Sequence, residues 1–199
     1  MSLLVETLKV KNGNILNIRF HNERMIRSLY GIYGLRSSAN LENIITIPEF
    51  ACSGVSKCRV IYDDKTFKVE FLPYTIRPVR SLKIIIDENI CYPYKYVARD
   101  KIDRLLELRG DCDDILIIKN GMVTDSSYAN VIFKDSDSKW VTPLTCLLPG
   151  TRRADLLQRG IITEKKISHM DLYKYSEVKL INAMIGIEDT EGIPIVNIK

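Results

Sequence analysis

Ile115-Leu116-Ile117-Ile118-Lys119-Asn120-Gly121-Met122-Val123-Thr124-Asp125-Ser126-Ser127-Tyr128-Ala129-Asn130-Val131-Ile132-Phe133 is the stretch whose reading decides the fold. It opens as a wholly apolar strand. Asn120-Gly121 then predicts a type I′ turn, because both residues tolerate positive φ. The chain returns through Met122 and Val123, and polarity then enters a place that should be core. Thr124, Asp125, Ser126, Ser127 and Asn130 interrupt the pattern before Val131-Ile132-Phe133 resumes it. A carboxylate between two apolar runs is costly unless a cation or hydrogen-bond donors meet it. Two readings stand. One is a polar loop joining two strands. The other is a carboxylate held in a dry site to pair with a bound cation.

Working outward toward the N-terminus, Leu4–Val10 reads as a strand, Asn12-Gly13 as a second tight turn and Ile15–Phe20 as the returning strand. His21-Asn22-Glu23-Arg24 opens a helix, with Met25, Leu29 and Ile32 or Tyr33 on one face at helical spacing. Arg24 lies off the centre of that face and reads as a solvated helix charge. Ser37–Asn40 is a break, and Leu41–Ala51 is ambiguous around Pro48. Cys58–Tyr62 and Phe67–Tyr74 are strands joined by Asp63-Asp64-Lys65. Arg77-Pro78 is an extended connector, and Leu82–Ile86 is a β-branched strand. Lys95 stands among Tyr92, Tyr94 and Tyr96, where a strand gives way to the helix of Ile102, Leu105, Leu106 and Leu108, closed at Gly110. A lysine there is either a surface residue or a desolvated amine suited to Schiff-base chemistry.

Beyond the central stretch, Lys139–Thr142 reads as a short strand. Leu147-Leu148-Pro149-Gly150-Thr151-Arg152-Arg153 feeds a helix that closes at Gly160. A Pro-Gly-Thr turn leaves backbone N–H groups open at a helix start, a geometry that binds phosphate. Glu164–Ile167 is a strand, Asp171–Tyr175 a short helix and Val178–Ile181 a strand running into Asn182-Ala183-Met184. The end, Ile193-Pro194-Ile195-Val196, is extended.

The bulk properties narrow the function. A chain of 199 residues makes one large domain or two small ones. Its net charge of +4 is interleaved with acidic residues, so no basic stripe points to nucleic acid. No apolar run reaches membrane-spanning length, and Met1-Ser2-Leu3-Leu4 lacks the features of a secretory signal. Cys52, Cys58, Cys91, Cys112 and Cys146 form no C-x-x-C pair and read as reduced thiols of a cytoplasmic protein. His21 and His169 lack metal spacing, so no metal is expected. Neither G-x-G-x-x-G nor a Walker loop occurs.

Together these residues resemble the class IV aminotransferase family, the fold type IV enzymes that use pyridoxal 5′-phosphate. His21-Asn22-Glu23-Arg24-Met25 resembles the family's H-x-x-R-L element. Lys95-Tyr96-Val97-Ala98-Arg99 resembles K-x-x-x-R, and Val123–Val131 resembles V-T-E-x-x-x-x-N followed by an apolar residue. Leu148-Pro149-Gly150-Thr151-Arg152 resembles L-P-G-x-T-R. The order and spacing hold along almost the whole chain.

The resemblance implies roles. Lys95 would carry the cofactor covalently and act in catalysis, and Asp125 would face the pyridine nitrogen. Ser126 and Asn130 would complete that part of the cofactor site. Arg24, with the N–H groups after Gly150 at Thr151 and Arg152, would hold the phosphate. Asn182-Ala183 would give the second phosphate-binding turn. The chain departs from the family in having Asp125 for the usual Glu, Arg152 for a threonine that contacts the phosphate, and Ala183, which has no hydroxyl. It also starts late, at Val5-Glu6-Thr7, relative to strands that help wall the substrate pocket. Arg77, Arg80 and Arg99 are candidates for substrate carboxylates.

The fold implied is α+β in two subdomains. Residues 1–78 would form a small antiparallel sheet with helices. Residues 79–199 would form a β-barrel-like domain with peripheral helices, with the cofactor between the two. A homodimer acting on a small amino substrate is implied. Asn182-Ala183-Met184 resembles the N-A-L stretch of 4-amino-4-deoxychorismate lyases, enzymes of folate biosynthesis, more than the S-G-T of branched-chain aminotransferases. The activity implied is thus pyruvate elimination giving p-aminobenzoate. The alternatives are an amino-acid transaminase of branched-chain or D-amino acid type, and a non-catalytic relative of the same fold.

Overall fold

The computed structural model describes residues 2–199; Met1, with which the expected 1–78 subdomain begins, lies outside them. The chain divides into two compact units. One comprises the residues up to Ile76 together with Tyr94–Ala98, and the other comprises Arg77–Pro93 with Arg99–Lys199. The expected boundary at 78/79 therefore falls two residues after the observed crossover, and the short segment bearing Lys95 goes with the first unit.

The first unit is built on β1 (Leu4–Lys11), which turns through Asn12 and Gly13, both at positive φ, into β2 (Asn14–Ile15). The returning strand expected over Ile15–Phe20 is only these two residues long. Asn17 takes a left-handed conformation (φ 56°) as the N-cap, and α1 (Ile18–Tyr33) starts at once. After α2 (Leu41–Ile44), β3 (Val55–Tyr62) pairs antiparallel along all of β1, and β4 (Phe67–Pro73) pairs with β3, giving the order β2-β1-β3-β4. Inward alternation in β1 and β3 puts Leu4, Leu8, Val10, Cys58, Val60 and Tyr62 against Met25 and Leu29 of α1.

The second unit holds β5 (Leu82–Ile86), α3 (Asp100–Glu107), β6 (Asp114–Lys119), β7 (Met122–Ser126), β8 (Asn130–Lys134), β9 (Trp140–Pro143), α4 (Thr151–Gln158), β10 (Ile162–Lys165), β11 (Glu177–Ile181) and β12 (Ile193–Pro194). The sheet runs β10-β9-β8-β7-β6-β5, with β11 on β8 and β12 on β11. The central hairpin forms as read: β6 and β7 meet at Asn120 (φ 50°) and Gly121 (φ 71°). The apolar run Ile115–Ile118 of β6 is buried on both faces. Leu116 and Ile118 join one core, and Ile115 and Ile117 join another with Ile102 of α3.

The β-barrel-like sheet expected of this unit is a mixed sheet that does not close into a barrel. The path ends at β10 and at β5, so the described sheet is open. The outer side of β5 is nonetheless covered: the Lys199 N–H donates to the Leu82 carbonyl at 2.9 Å, and the Lys199 carbonyl accepts from Ile84 at 2.7 Å. No helix among the described residues is long and apolar enough to cross a membrane.

Candidate functional site

In the second unit the site is built on a break in the sheet. Leu116 opposes Ser126 and Ile118 opposes Val123, so β7 carries one more residue than β6 across that interval. The extra residue is accommodated as a bulge, which re-aims side chains. Thr124 Oγ1 donates to the Ile117 carbonyl at 2.8 Å there, and the Asp125 carboxylate is left for other partners. β11 runs along one edge of β8, so β7 and β9 must share its other edge. β7 meets β8 at the single pair Asp125–Asn130, and β9 takes over at Phe133 and Lys134.

The loop after β9 closes on that junction. Thr145 Oγ1 donates to the Val123 carbonyl, and the Leu147 and Leu148 N–H groups donate to Asp125 Oδ2 at 2.9 and 3.0 Å. Asn130 Nδ2 donates to Asp125 Oδ1 at 2.7 Å and to the Leu148 carbonyl at 2.8 Å. Burial pushes the Asp125 carboxyl up to about 6, against the hydrogen bonds from Leu148, Asn130 and Leu147 and the charge of Arg153. Beside it, burial pushes the Cys146 thiol up to about 11, so it is not a thiolate nucleophile at neutral pH.

The same loop delivers α4. Gly150 is its N-cap, and a Cβ there would lie 2.0 Å from Asn130 Oδ1, so only glycine lets the chain pass the amide. Thr151 is buried at the first helical position. Arg152 pairs with Asp155 at 3.2 Å, while its buried Nε has no hydrogen-bond partner. Leu156 fixes α4 by packing on Ile132 of β8. The Asp125 carboxylate and the α4 N-terminus are therefore parts of one hydrogen-bonded piece.

Ser126 and Asn182 build turns. Ser126 Oγ accepts from Ala129 at 3.1 Å and from Tyr128 at 3.4 Å. Asn182 Oδ1 accepts from Met184 and Ile185 at 2.8 and 3.0 Å, closing the turn that carries Ala183, and its Nδ2 reaches the Tyr128 carbonyl at 3.5 Å. The loop between Asp125 and Asn130 is also held by two of the three arginines read as carboxylate candidates. Arg99 donates to the Ser127 carbonyl at 2.7 Å, and Arg77 lies over the Tyr128 ring. The backbone N–H of Arg80 is bound to Asp113.

In the first unit, Lys95 does not end a strand as expected. It sits in an irregular segment laid along the start of β1: Val5 N–H donates to the Lys95 carbonyl and Val97 N–H to the Leu3 carbonyl, both at 2.9 Å, and Leu4 bridges Tyr96. Arg24 is not a solvated helix charge. It is buried, and it grips Glu6 at two points, Nε to Oε1 at 2.9 Å and Nη2 to Oε2 at 2.5 Å. His21 Nδ1 meets the same Oε2 at 2.6 Å. Burial alone would raise the Glu6 carboxyl, but the Arg24 charge and the hydrogen bonds from His21 and Arg24 prevail and hold it at about 2. Burial also pushes His21 below its ordinary value, against the pull of Glu6, with Arg24 and Lys95 acting in the same direction as burial. His21 is thus neutral at pH 7 and donates its Nδ1 proton to an ionised Glu6.

Sequence reasoning missed Glu6 and Arg153. The signal for Glu6 was its parity with Leu4 and Leu8, which puts a carboxylate on the inward face of β1. Arg153 is buried and bound to the Pro143 carbonyl (2.9 Å) and Glu164 (2.6 Å), with its charge near Asp125. Nothing in the local sequence marked it as the inward one of two adjacent arginines.

Comparison with known proteins gives the family and the fold. The family model for amino-transferase class IV matches residues 95–190. An uncharacterized protein of Haemophilus influenzae is 41% identical over 186 residues, 92% of this chain and 98% of that one. The crystal structure of a "putative 4-amino-4-deoxychorismate lyase" from Haemophilus somnus 129pt superposes with a TM-score of 0.88 at 33% identity, covering 94% of this chain and 98% of that one. A "putative amino-acid aminotransferase" from Mesorhizobium loti shares the fold at a TM-score of 0.79 and 19% identity, over 100% and 99% of the two chains. The chain belongs to the class IV aminotransferase family.

Proposed function

We propose that this protein is a pyridoxal-phosphate-dependent 4-amino-4-deoxychorismate lyase. The observation that carries the cofactor reading is the Asp125–Asn130–Leu148–Gly150 connection, which sets a buried carboxylate at a fixed place relative to a helix N-terminus. Those two features suit the two ends of the cofactor. A carboxylate suits a protonated ring nitrogen, and helix-start N–H groups suit a phosphate dianion. The buried, unpartnered Nε of Arg152 at the start of α4 adds a donor of the right charge. The bound cofactor would supply an electron sink at the carbon bearing the substrate's nitrogen.

The chain's own residues would do the rest. Lys95 would carry the cofactor covalently and, once displaced by the substrate's amino group, take the proton from that carbon. Asp125, ionised above pH about 6, would keep a proton on the ring nitrogen. Arg24, Thr151, Arg152 and the Asn182-Ala183 turn would hold the phosphate. Departure of pyruvate leaves an aromatic product, p-aminobenzoate, so the protein needs mainly to orient one C–H bond and offer one base.

The lyase reading is supported by the Asn182-Ala183-Met184 turn and by the 33% identical Haemophilus somnus structure. A homodimeric state and a cytoplasmic location enter the proposal on the family resemblance alone. The test gives purified protein 4-amino-4-deoxychorismate in one reaction and amino acids with 2-oxoglutarate in another. Pyruvate and p-aminobenzoate in the first only is the expected result. Glutamate in the second, with no p-aminobenzoate in the first, would replace the lyase with a transaminase. Silence in both from cofactor-loaded protein would overturn the lyase and favour a non-catalytic relative.

A further inference from the structure

The first unit contains a device that the proposed chemistry does not itself use. Three consecutive residues of β1 serve two different functional residues. Leu4 and Val5 hold the segment bearing Lys95 through main-chain contacts, and Glu6 holds the Arg24 side chain. Glu6 is fully buried on the inward face of a strand whose other inward residues, Leu4, Leu8 and Val10, are all aliphatic. A buried carboxylate in that row is costly unless it is fully partnered. Its partners are Arg24, at two points, and His21, both on α1 and one turn apart. The two-point grip fixes the plane of the guanidinium, which a single contact would leave free to swivel.

We infer that Glu6 is a positioning residue: by locking the Arg24 guanidinium in register with the strand that anchors Lys95, it sets the geometry in which Arg24 receives the cofactor's phosphate. This rests on the cofactor reading above. Two functions of Glu6 have to be separated, neutralising Arg24 and orienting it. Glu6→Asp separates them, because it keeps the negative charge and withdraws the carboxylate by one methylene. It also keeps a charged partner for Arg24 and is therefore the variant that folds more readily; Glu6→Gln, which keeps the length and loses the charge, is its complement.

The experiment measures the dissociation constants of pyridoxal 5′-phosphate and of pyridoxal, which lacks the phosphate, for wild type and both variants, with melting curves as the folding control. Wild type should bind the phosphate ester far more tightly. Glu6→Asp should reduce that discrimination about tenfold, the loss of a well-aligned charge-assisted contact, with affinity for pyridoxal little changed. Glu6→Gln should reduce it as well. A merely structural role would weaken both ligands alike, leave the ratio intact and overturn the inference. A wild-type ratio in Glu6→Asp, or a ratio that rises in Glu6→Gln, would assign Glu6 to neutralisation only and overturn it too. If wild type itself failed to distinguish the two ligands, the cofactor reading would fall, and the inference with it.

Discussion

Asn130 and Asp125 are joined by a 2.7 Å hydrogen bond, and the same amide nitrogen donates to the Leu148 carbonyl at 2.8 Å. One side chain thus ties the bulged end of β7 to the loop that launches α4. The distance from carboxylate to helix start is then set by a rigid amide rather than by a flexible loop.

The close pass of Gly150 over that amide gives a first prediction. Gly150→Ala places a methyl group on Asn130 Oδ1. Because Asn130 is held by two hydrogen bonds, the clash should cost about 1–3 kcal/mol of stability. It should also weaken cofactor affinity, since the α4 N-terminus and Asp125 move apart together. Urea unfolding and a cofactor titration check this; unchanged values in both would mean that the loop yields without the amide.

The pH dependence of stability, in the absence of cofactor, should include contributions of opposite sign from Asp125 and Glu6, with His21, neutral in the fold, acting in the same direction as Glu6. The Asp125 carboxyl rises from 3.8 to about 6 on folding, so the unfolded chain releases that proton first. Its contribution should fall as pH rises from about 4 to about 6, by about 3 kcal/mol in total. Glu6 runs the other way, from 4.5 down to about 2. Its contribution is complete above pH about 4.5 and is lost as pH falls toward 2. Asp125→Asn should therefore remove the loss of stability with rising pH between about 4 and about 6 and leave the acid limb in place. A variant profile that superimposes on wild type would remove Asp125 from the buried site. In the holoenzyme the same substitution should cripple turnover with the fold largely intact.

Arg24 offers a thermodynamic cycle. Arg24→Met strands an ionised Glu6 in the core and should cost about 3–5 kcal/mol. Glu6→Gln added to it removes the stranded charge while keeping an acceptor for His21, and should recover more than half of that cost. Additive losses in urea unfolding would contradict the pairing.

How legible these features were depended on their range. Asn120-Gly121 announced its hairpin because both residues accept positive φ, and the unbroken run Ile115–Ile118 announced a strand buried on two faces. Ile15–Phe20 misled. Its apolar spacing reads as a strand, but Asn17 accepts a left-handed φ and starts the helix there, a local choice that periodicity does not encode. The α+β reading in two subdomains holds, and only closure of the larger sheet was not legible: alternation fixes the faces of strands but not which edges meet. Lys95, Asp125 and Gly150 were singled out through motif spacing. The partners that fix Asp125, the Leu147 and Leu148 N–H groups, are main-chain atoms with no signature in side-chain identity. Without the family resemblance Arg24 reads as a surface charge, because its partner, Glu6, lies 18 residues away on another element.

The central claim is that Lys95 carries pyridoxal 5′-phosphate, and borohydride reduction followed by peptide mass mapping tests it most directly. Wild type incubated with the cofactor should yield a single reduced adduct, on the peptide containing Lys95. Lys95→Ala should lose both the adduct and the absorbance near the visible edge while keeping its fold. An adduct on any other lysine, or none on wild type, would contradict the claim.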